Sequence, residues 1–389
     1  MKRYVVLAGE KSGDSHAAAL VEAMREQEPL SSFFGVAGVA MRQAGVVPWL
    51  CVEQLSQMGF VDVIKALPQL ICHFRRIKRQ ILEGQFDAVL FIDYPGFNLR
   101  MARALRRAGY RGRLIHYIAP TVWAHGRGRI DQMARDLDLL LVILPFEPDC
   151  FSASSLPVHY VGHPTKERLA NLSPDLTWRQ QVGIPEELPL IAFFPGSRPA
   201  ELRRHLPLML QVWCQIQPSL SKSYRLAISC SEESWKPLIE AELQKANVPI
   251  GEKAYLVGGD GSRQKALMEE AHVALAKSGT VALELALLGC PSVLIYRTRS
   301  IDRWIARYLL RLELPYYSLP NLLMGRELFP EHIARGCEPV AIAADMCRLL
   351  SDREAATHCR EGCRALQLLL GESAPSRKAA QFILQSLIA

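Results

Sequence analysis

Short apolar runs alternate with segments of helical periodicity along most of the chain. Runs such as Tyr4 to Ala8 and Ala88 to Ile92 have the length and apolar content of strands buried on both faces of a sheet. Helical segments lie between such runs, at about 65–83, 98–108 and 127–136. Strands that alternate with helices predict a parallel, doubly wound α/β sheet.

A polar stretch with several prolines interrupts this pattern over residues 160–189, and the pattern restarts with the apolar run Leu190 to Phe194. After Pro339 the sequence predicts only helices. Two Rossmann-like domains would face a cleft, with ligands outside the carboxyl ends of the strands. The expected regions are an N-terminal domain over 1–165, a second domain over 166–345 and C-terminal helices over 346–389.

The composition is that of an ordinary globular protein, with 49% hydrophobic and 22% charged residues among 389. It excludes a disordered chain, a coiled coil and a collagen-like repeat. The formal net charge of +7 fits anionic partners such as nucleotides, phosphorylated lipids or acidic membranes. The charge alone singles out none of these partners.

Ten cysteines are spread along the chain without a Cys-x-x-Cys pair. This spread favours reduced thiols in a cytosolic protein over a disulfide framework or a zinc site. The longest strongly apolar run, Leu139 to Phe146, is too short to span a bilayer, and Tyr4 to Ala8 is too short for a signal peptide. We therefore expect a soluble or peripheral protein.

Two segments of the first half end predicted strands with polar residues. Gly9 to Asp14 matches neither a Walker A loop nor Gly-x-Gly-x-x-Gly, so it is either a tight turn that needs glycine or a polar loop over the cleft. Asp93 ends a hydrophobic strand, where a general base or a ligand-binding acid would lie. The alternative is an aspartate that caps the following turn.

Two segments of the second half place small polar residues between a strand and a helix. Ser197 and Arg198 follow one strand, and Lys277 to Thr280 lead into another helix with Glu284 one turn further on. Helix N-termini bind phosphate through free N–H groups, and an arginine adds a charge-assisted contact. The pair of segments predicts a site for a diphosphate and a ribose, and the alternative is ordinary N-capping by Ser and Thr.

The function of three further sequence patterns, one acidic and two basic, stays open. Asp136 and Asp138 match the Asp-x-Asp pattern of metal-dependent sugar transferases, but Asp138 runs directly into a buried strand, which favours a structural turn and no metal site. Segments 65–83 and 301–312 are basic and amphipathic. Such helices either lie on an anionic membrane or pack one face on their own sheet.

Ordered motifs along nearly the whole chain resemble the lipid-A-disaccharide synthase family. The motifs of the first half are Ala8-Gly9-Glu10 with Ser12-Gly13-Asp14, Met58-Gly59-Phe60, Ile92-Asp93 with Pro95 and Phe97-Asn98, His116-Tyr117 with Pro120 and Val122-Trp123-Ala124, Leu144-Pro145-Phe146-Glu147, and Val161-Gly162-His163. Those of the second half are Pro195-Gly196-Ser197-Arg198 with Glu201, Ser278-Gly279-Thr280 with Leu283-Glu284, Tyr296-Arg297, and Ser318-Leu319-Pro320-Asn321.

The resemblance implies an inverting glycosyltransferase of the GT-B fold that needs neither metal nor cofactor. Such an enzyme joins UDP-2,3-diacylglucosamine to 2,3-diacylglucosamine 1-phosphate through a β-1,6 bond and releases UDP. It would work in the cytoplasm, peripherally bound to the inner membrane, and without nucleic acid. The expected site has Asp93 as its base, an acceptor side of Glu10, Ser12, Gly13, Asp14 and Asn98, and a UDP-sugar side of Gly196, Ser197, Arg198, Glu201, Ser278, Gly279, Thr280, Glu284 and Asn321.

The chain departs from the family's pattern at Gly96, which replaces an acid, at His125, which replaces a tryptophan, and at Ala334, which replaces a frequent glutamine. Two alternatives therefore stay open. One is an enzyme of the same architecture, such as a UDP-N-acetylglucosamine epimerase, and the other is an inactive binding protein at the membrane.

Overall fold

The computed structural model describes residues 1–53, 62–124, 128–220, 223–297, 315–371 and 374–388, with the backbone alone at 62–67 and at 335. The chain divides into two compact units. One unit comprises Met1–Pro164 with Glu372–Ala389, and the other comprises Thr165–Gly371.

The first unit is built on a parallel sheet of seven strands in the order β3-β2-β1-β4-β5-β6-β7. The strands are β1 Arg3–Ala8, β2 Ser32–Ala37, β3 Val47–Cys51, β4 Ala88–Ile92, β5 Arg113–Tyr117, β6 Leu139–Val142 and β7 Val158–Tyr160. The helices that follow them are α1 Lys11–Gln27, α2 Val39–Gln43, α3 Asp62–Glu83, α4 Pro95–Arg107, α5 Arg129–Asp136 and α6 Glu147–Cys150. The next helix, α7 Pro164–Asn171, begins at the last residue of this segment.

The second unit repeats this plan on six parallel strands in the order β10-β9-β8-β11-β12-β13. The strands are β8 Leu190–Phe194, β9 Arg225–Ser229, β10 Ala254–Val257, β11 Val273–Lys277, β12 Ser292–Tyr296 and β13 Glu331–Ile333. The helices are α8 Trp178–Val182, α9 Pro199–Ile216, α10 Lys236–Lys245, α11 Gly261–Glu270, α12 Thr280–Leu287, α13 Leu319–Met324, α14 Pro339–Ser351 and α15 Arg353–Leu369. Short 3-10 turns lie at Gln217–Ser219, Glu233–Trp235 and Ala334–Gly336.

The central strands form because their side chains can be buried on both faces. Every residue of β4 and β8 is buried, as their continuous apolar sequences predict. The predicted fold class, two doubly wound Rossmann-like α/β domains with a helical C-terminus, is confirmed.

The C-terminal helices do not form one region over 346–389. Helices α14 and α15 belong to the second unit, whereas α16 Pro375–Ser386 belongs to the first. Ala379, Ala380 and Ile383 of α16 are fully buried in the core of the first unit. The return of α16 to the first unit depends on this packing, which the local helical pattern does not contain.

Among the described residues, no helix combines the length and apolar character needed to cross a bilayer. Helix α3 instead turns an apolar stripe inward, with Ile77 and Ile81 almost fully buried in the core of the first unit. Its arginines Arg75, Arg76 and Arg79 are exposed. The predicted helix over 301–312 and the Met58-Gly59-Phe60 motif lie outside the described residues.

Candidate functional site

Each sheet has one position where the order of its strands reverses. In the first sheet this position lies between β1 and β4, and in the second it lies between β8 and β11. Ligands of open α/β sheets bind outside the carboxyl ends of the strands at such positions. Glu10 follows β1 and Asp93 follows β4, while residues 196–201 follow β8 and residues 278–284 follow β11. Most of the predicted site residues thus lie in segments that begin at these two switch points.

Asp93 lies in a strained turn between β4 and α4. Asp93 and Tyr94 have φ angles of 48° and 47°, in the left-handed region that non-glycine residues rarely adopt. Strain of this kind costs on the order of 1–3 kcal/mol per residue and is concentrated at functional sites. The turn is held by the Asp93 N–H, which donates to the Tyr117 carbonyl at 2.9 Å, and by the Asn98 amide, which donates to the Asp93 carbonyl at 2.7 Å.

The surroundings of Asp93 disfavour its charged form. The side chain is half-buried, and this burial raises its pKa above the ordinary value, against a backbone hydrogen bond from Tyr94. Glu10 raises the pKa of Asp93 further and also that of Tyr94. A carboxylate with a raised pKa holds a proton more strongly, as a general base requires.

The position of the Tyr94 ring requires a glycine at position 9. A Cβ at Gly9 would lie 2.2 Å from the ring of Tyr94, so any side chain would displace the tyrosine. This close approach explains one glycine of the first motif, while Gly13 is buried where α1 meets the sheet. Glu10 and Ser12 are exposed at the start of α1.

Asp14, expected on the acceptor side, is a structural residue. It is 5% exposed, and its carboxylate accepts the backbone N–H groups of Gly38 at 2.7 Å, Ala40 at 2.9 Å and Met41 at 3.2 Å. These bonds satisfy the free N–H groups at the start of α2. Asp14 therefore connects α1 to the turn after β2 instead of facing a ligand.

Asn98, also expected on the acceptor side, lies beneath the site. It is 1% exposed and donates to the carbonyls of Asp93, Ile92 and Leu7. Its amide joins β1 to the end of β4. Asn98 therefore positions Asp93 through the backbone.

Glu147 is the other buried carboxylate of the first-half motifs. It is 2% exposed, and it accepts the backbone N–H groups of Ile143 at 3.2 Å and Leu144 at 2.9 Å. Burial raises its pKa to about 7. Because its carboxylate is directed at its own loop, Glu147 is a weaker candidate for the base than Asp93.

The second unit contains a pocket of about 220 Å³ at its switch point. The predicted residues that line it are Gly196, Ser197, Glu201, Gly279, Thr280 and Glu284. Arg198 is the exposed N-cap residue of α9, and the Ser278 N–H donates to the Ile295 carbonyl at 2.8 Å. Neither Arg198 nor Ser278 lines the pocket.

The turn from β8 into α9 is built around Glu201. Gly196 has a φ of 118°, and a Cβ there would lie 2.5 Å from Glu201 Oε2, so both backbone angle and space require glycine. Glu201 accepts the Ser197 N–H at 3.1 Å and binds Lys277 Nζ at 3.1 Å. Burial opposes the charged form of Glu201, but Lys277 and the Ser197 N–H hold its pKa below the ordinary value.

Glu284 of α12 also lines the pocket. Its carboxylate accepts a hydrogen bond from the Arg168 guanidinium at 2.5 Å. Burial raises the pKa of Glu284, and Arg168 opposes that shift. A carboxylate at this position can accept hydrogen bonds from the hydroxyls of a ribose.

Asn321 does not line the pocket. It is fully buried, its amide nitrogen donates to Phe329 O and Glu331 Oε1 at 2.8 Å, and its oxygen accepts the Leu328 and Phe329 N–H groups. These bonds join α13 to the segment that enters β13. Both the nitrogen and the oxygen of the Asn321 side chain thus form hydrogen bonds within the protein and not with a ligand in the pocket.

The sequence interpretation missed several lining residues. They are Phe194, Ser229, Ser231, Gln264, Met268 and Val281. Ser229 donates to Gln264 at 2.7 Å, which joins β9 to α11. Lys277 also lines the pocket; it begins the segment Lys277 to Thr280 that the sequence indicated, although it was not among the expected site residues. The other residues carry no motif.

Asp138 has the structural role that its position before a strand indicated. It accepts the Leu114 N–H at 2.7 Å and pairs with Arg106. Within the described ranges, no three His, Cys, Asp or Glu side chains converge as metal ligands would.

Three residues depart from the family's sequence pattern, and the structure describes two of them. Gly96 is exposed in the first turn of α4, and Ala334 has a φ of 56°. His125 lies outside the described residues.

Comparison with known proteins covers nearly the whole chain. The family model described as lipid-A-disaccharide synthetase matches residues 4–385. The lipid-A-disaccharide synthase of Trichlorobacter lovleyi is 33% identical over 98% of this chain and 97% of its own length. That of Chlamydia trachomatis serovar D is 34% identical over 96% of this chain, which spans 60% of the length of the Chlamydia protein.

The fold recurs in solved structures of low sequence identity. The glycotransferase of kitacinnamycin aligns with a TM-score of 0.64 at 14% identity, and the alignment covers 99% of each chain. At this identity the likeness concerns the fold alone.

Proposed function

Because the chain belongs to the lipid-A-disaccharide synthetase family, we propose that it transfers 2,3-diacylglucosamine from UDP to 2,3-diacylglucosamine 1-phosphate and releases UDP. The observation that carries the proposal is the placement of family motifs at both switch points. Ile92-Asp93 lies at one, and Gly196-Ser197 with Gly279-Thr280 lies at the other.

Asp93 would act as the general base. The 6-hydroxyl of the acceptor attacks the anomeric carbon of the donor and loses its proton as the new bond forms. A half-buried carboxylate with a raised pKa is suited to take that proton. Glu10, at the end of the adjacent strand β1, would tune this pKa and face the acceptor.

The second unit would bind the donor. The UDP leaving group gains negative charge on its diphosphate as its bond to the anomeric carbon breaks. The turns that lead into α9 and α12 line the pocket at Ser197 and Gly279, so the positive ends of two helix dipoles would be directed at this charge. Arg198 at the start of α9 would add a charge-assisted contact, and Glu284 would accept from the ribose.

Incubation of the purified protein with both acylated sugars tests the proposal. Release of UDP that requires both sugars, with a disaccharide 1-phosphate seen by mass spectrometry, is the expected result. A changed UDP-sugar without the acceptor would indicate an epimerase. Binding of UDP-sugar without any product would indicate an inactive binding protein.

The acyl chains of both substrates make a membrane surface the expected site of the reaction. The exposed arginines Arg75, Arg76 and Arg79 of α3, with the exposed apolar residue Ile71, form a basic face suited to anionic lipid. We propose peripheral binding at the cytoplasmic face of the inner membrane through this face.

Changing Arg75, Arg76 and Arg79 together to Gln should release the protein from anionic vesicles. Each basic residue near such a surface contributes about 1 kcal/mol, so the triple change should weaken partitioning roughly 100-fold. Co-sedimentation with phosphatidylglycerol vesicles at low and high salt measures the effect. Buried Ile77 and Ile81 are untouched, so folding should be retained.

The matched control removes the same charge from α15, where Arg353, Arg360 and Arg364 are exposed. Changing these three to Gln should leave vesicle binding nearly unchanged. Equal losses in both variants would show that net charge, and not the α3 face, controls binding.

A further inference from the structure

Lys277 places a fixed positive charge in the wall of the donor pocket. It is the last residue of β11, and its side chain is 18% exposed. Its ammonium lies 3.1 Å from Glu201 Oε1. The charge thus lies between the turn that leads into α9 and the turn that leads into α12.

The position of this ammonium is set from several sides. A Cβ at Gly279 would lie 3.3 Å from Nζ, so the ammonium is held against the turn that begins α12. The ring of Tyr296 lies on another side, with its centroid 5.5 Å from Nζ. Such an approach to an aromatic face stabilises a cation.

The ring of Tyr296 lies in turn against that of His205 of α9. The two rings are stacked at 6.1 Å, and His205 Nε2 accepts the N–H of Arg297 at 3.2 Å. Burial lowers the pKa of His205 to about 4, which keeps this acceptor nitrogen unprotonated at neutral pH. The lysine therefore belongs to a preorganised arrangement and is not a mobile surface charge.

Glu201 occupies the donors that a phosphate group would use. Its two oxygens bind the Lys277 ammonium and the Ser197 N–H. Ammonium groups and N–H groups at a helix start are the donors that bind phosphate oxygens in proteins. The ammonium has three N–H bonds, so it can bind Glu201 and a second anion together.

We propose that Lys277 binds the diphosphate of the UDP-sugar directly, with Glu201 as the counter-ion that holds the ammonium between turnovers. The inference rests on the proposed function, since that function supplies the ligand. As the bond between the anomeric carbon and the β-phosphate oxygen breaks, the electron pair remains on that oxygen. Lys277 stabilises this charge, and the proton of the acceptor hydroxyl passes to Asp93.

Lys277→Met tests the proposal, because methionine keeps an unbranched side chain and removes the charge. Titration calorimetry with UDP and with uridine, which lacks the diphosphate, measures the effect. Loss of one charge-assisted contact should weaken UDP binding about 10- to 100-fold. Uridine affinity should stay at the wild-type value, and Lys277→Arg should recover most of the UDP affinity.

Two results with Lys277→Met would overturn the inference. If Lys277→Met binds UDP with the wild-type affinity, Lys277 does not bind the diphosphate. Equal losses for UDP and uridine would assign it a structural role. If Lys277→Met fails to fold, Glu201→Gln decides the question: UDP affinity should be kept or increased if Lys277 is a phosphate ligand, and should fall if only the ion pair matters.

The turnover of the wild-type protein separates this inference from the proposed function. Disaccharide formation by the wild type, together with unchanged UDP affinity in Lys277→Met, would overturn the role of Lys277 alone. A wild-type protein that binds no UDP would overturn both.

Discussion

Asp93→Asn should lower the rate of glycosyl transfer about 10²- to 10⁴-fold and leave UDP affinity unchanged, because a general base usually contributes that factor. Asparagine keeps the size and the polarity of the side chain but cannot accept the proton. It also tolerates the left-handed conformation that Asp93 adopts at a φ of 48°. Turnover and melting temperature measured on the same sample give the result.

The competing interpretation is that Asp93 only supports the strained turn. It requires a lower melting temperature and nearly normal turnover in the folded protein. Asn98→Ala is the matched comparison, since it removes the amide that holds the Asp93 carbonyl at 2.7 Å. A well-folded Asp93→Asn protein with nearly full activity would end the case for Asp93.

The pH dependence offers a second readout of the same role. The reaction needs the Asp93 carboxylate, so kcat/KM should fall as the pH falls through a pKa that burial and Glu10 raise. Glu10→Gln removes one of these causes, which lowers the pKa and should shift the acid limb to lower pH. An acid limb that does not move would show that another group controls it.

Asp14→Ala should reduce stability by about 2–4 kcal/mol without removing a catalytic group, because three backbone N–H groups lose a charged acceptor. Chemical denaturation followed by circular dichroism measures the loss. The remaining folded protein should turn over at nearly the wild-type rate, since no proton transfer depends on Asp14.

Ser15→Ala is the control for Asp14, because Ser15 is exposed on the same helix and should change stability by less than about 0.5 kcal/mol. A stable Asp14→Ala protein with a large loss of rate would contradict the structural role. It would also make Asp14 a competitor of Asp93 for the base.

The short edge strands show what the sequence pattern could not predict. Strand β3 is partly exposed, β7 and β13 have only three residues each, and none of the three was predicted. These three strands are buried less than the central ones and lack the continuous apolar run that identifies a buried strand. The central strands were predictable because burial on both faces demands such a run.

Residues of a single sequence motif also differ in role: some face the ligand site and others bind only the protein itself. Glu10 and Asp14 belong to one motif, yet Glu10 is exposed at the switch point and Asp14 is buried as a cap for α2. Asn321 belongs to a family motif, yet its amide is used by Phe329 and Glu331. Spacing within a motif does not state which side chain turns to the ligand and which to the protein.

The sequence by itself determined the two α/β domains and the strand ends that carry polar motifs, because buried strands need continuous apolar runs and helices need their own periodicity. Only the tertiary structure decided that α16 returns to the first unit and that Lys277 meets Glu201. Both contacts join residues far apart in the chain. Their formation depends on the packing of whole elements, which no local pattern records.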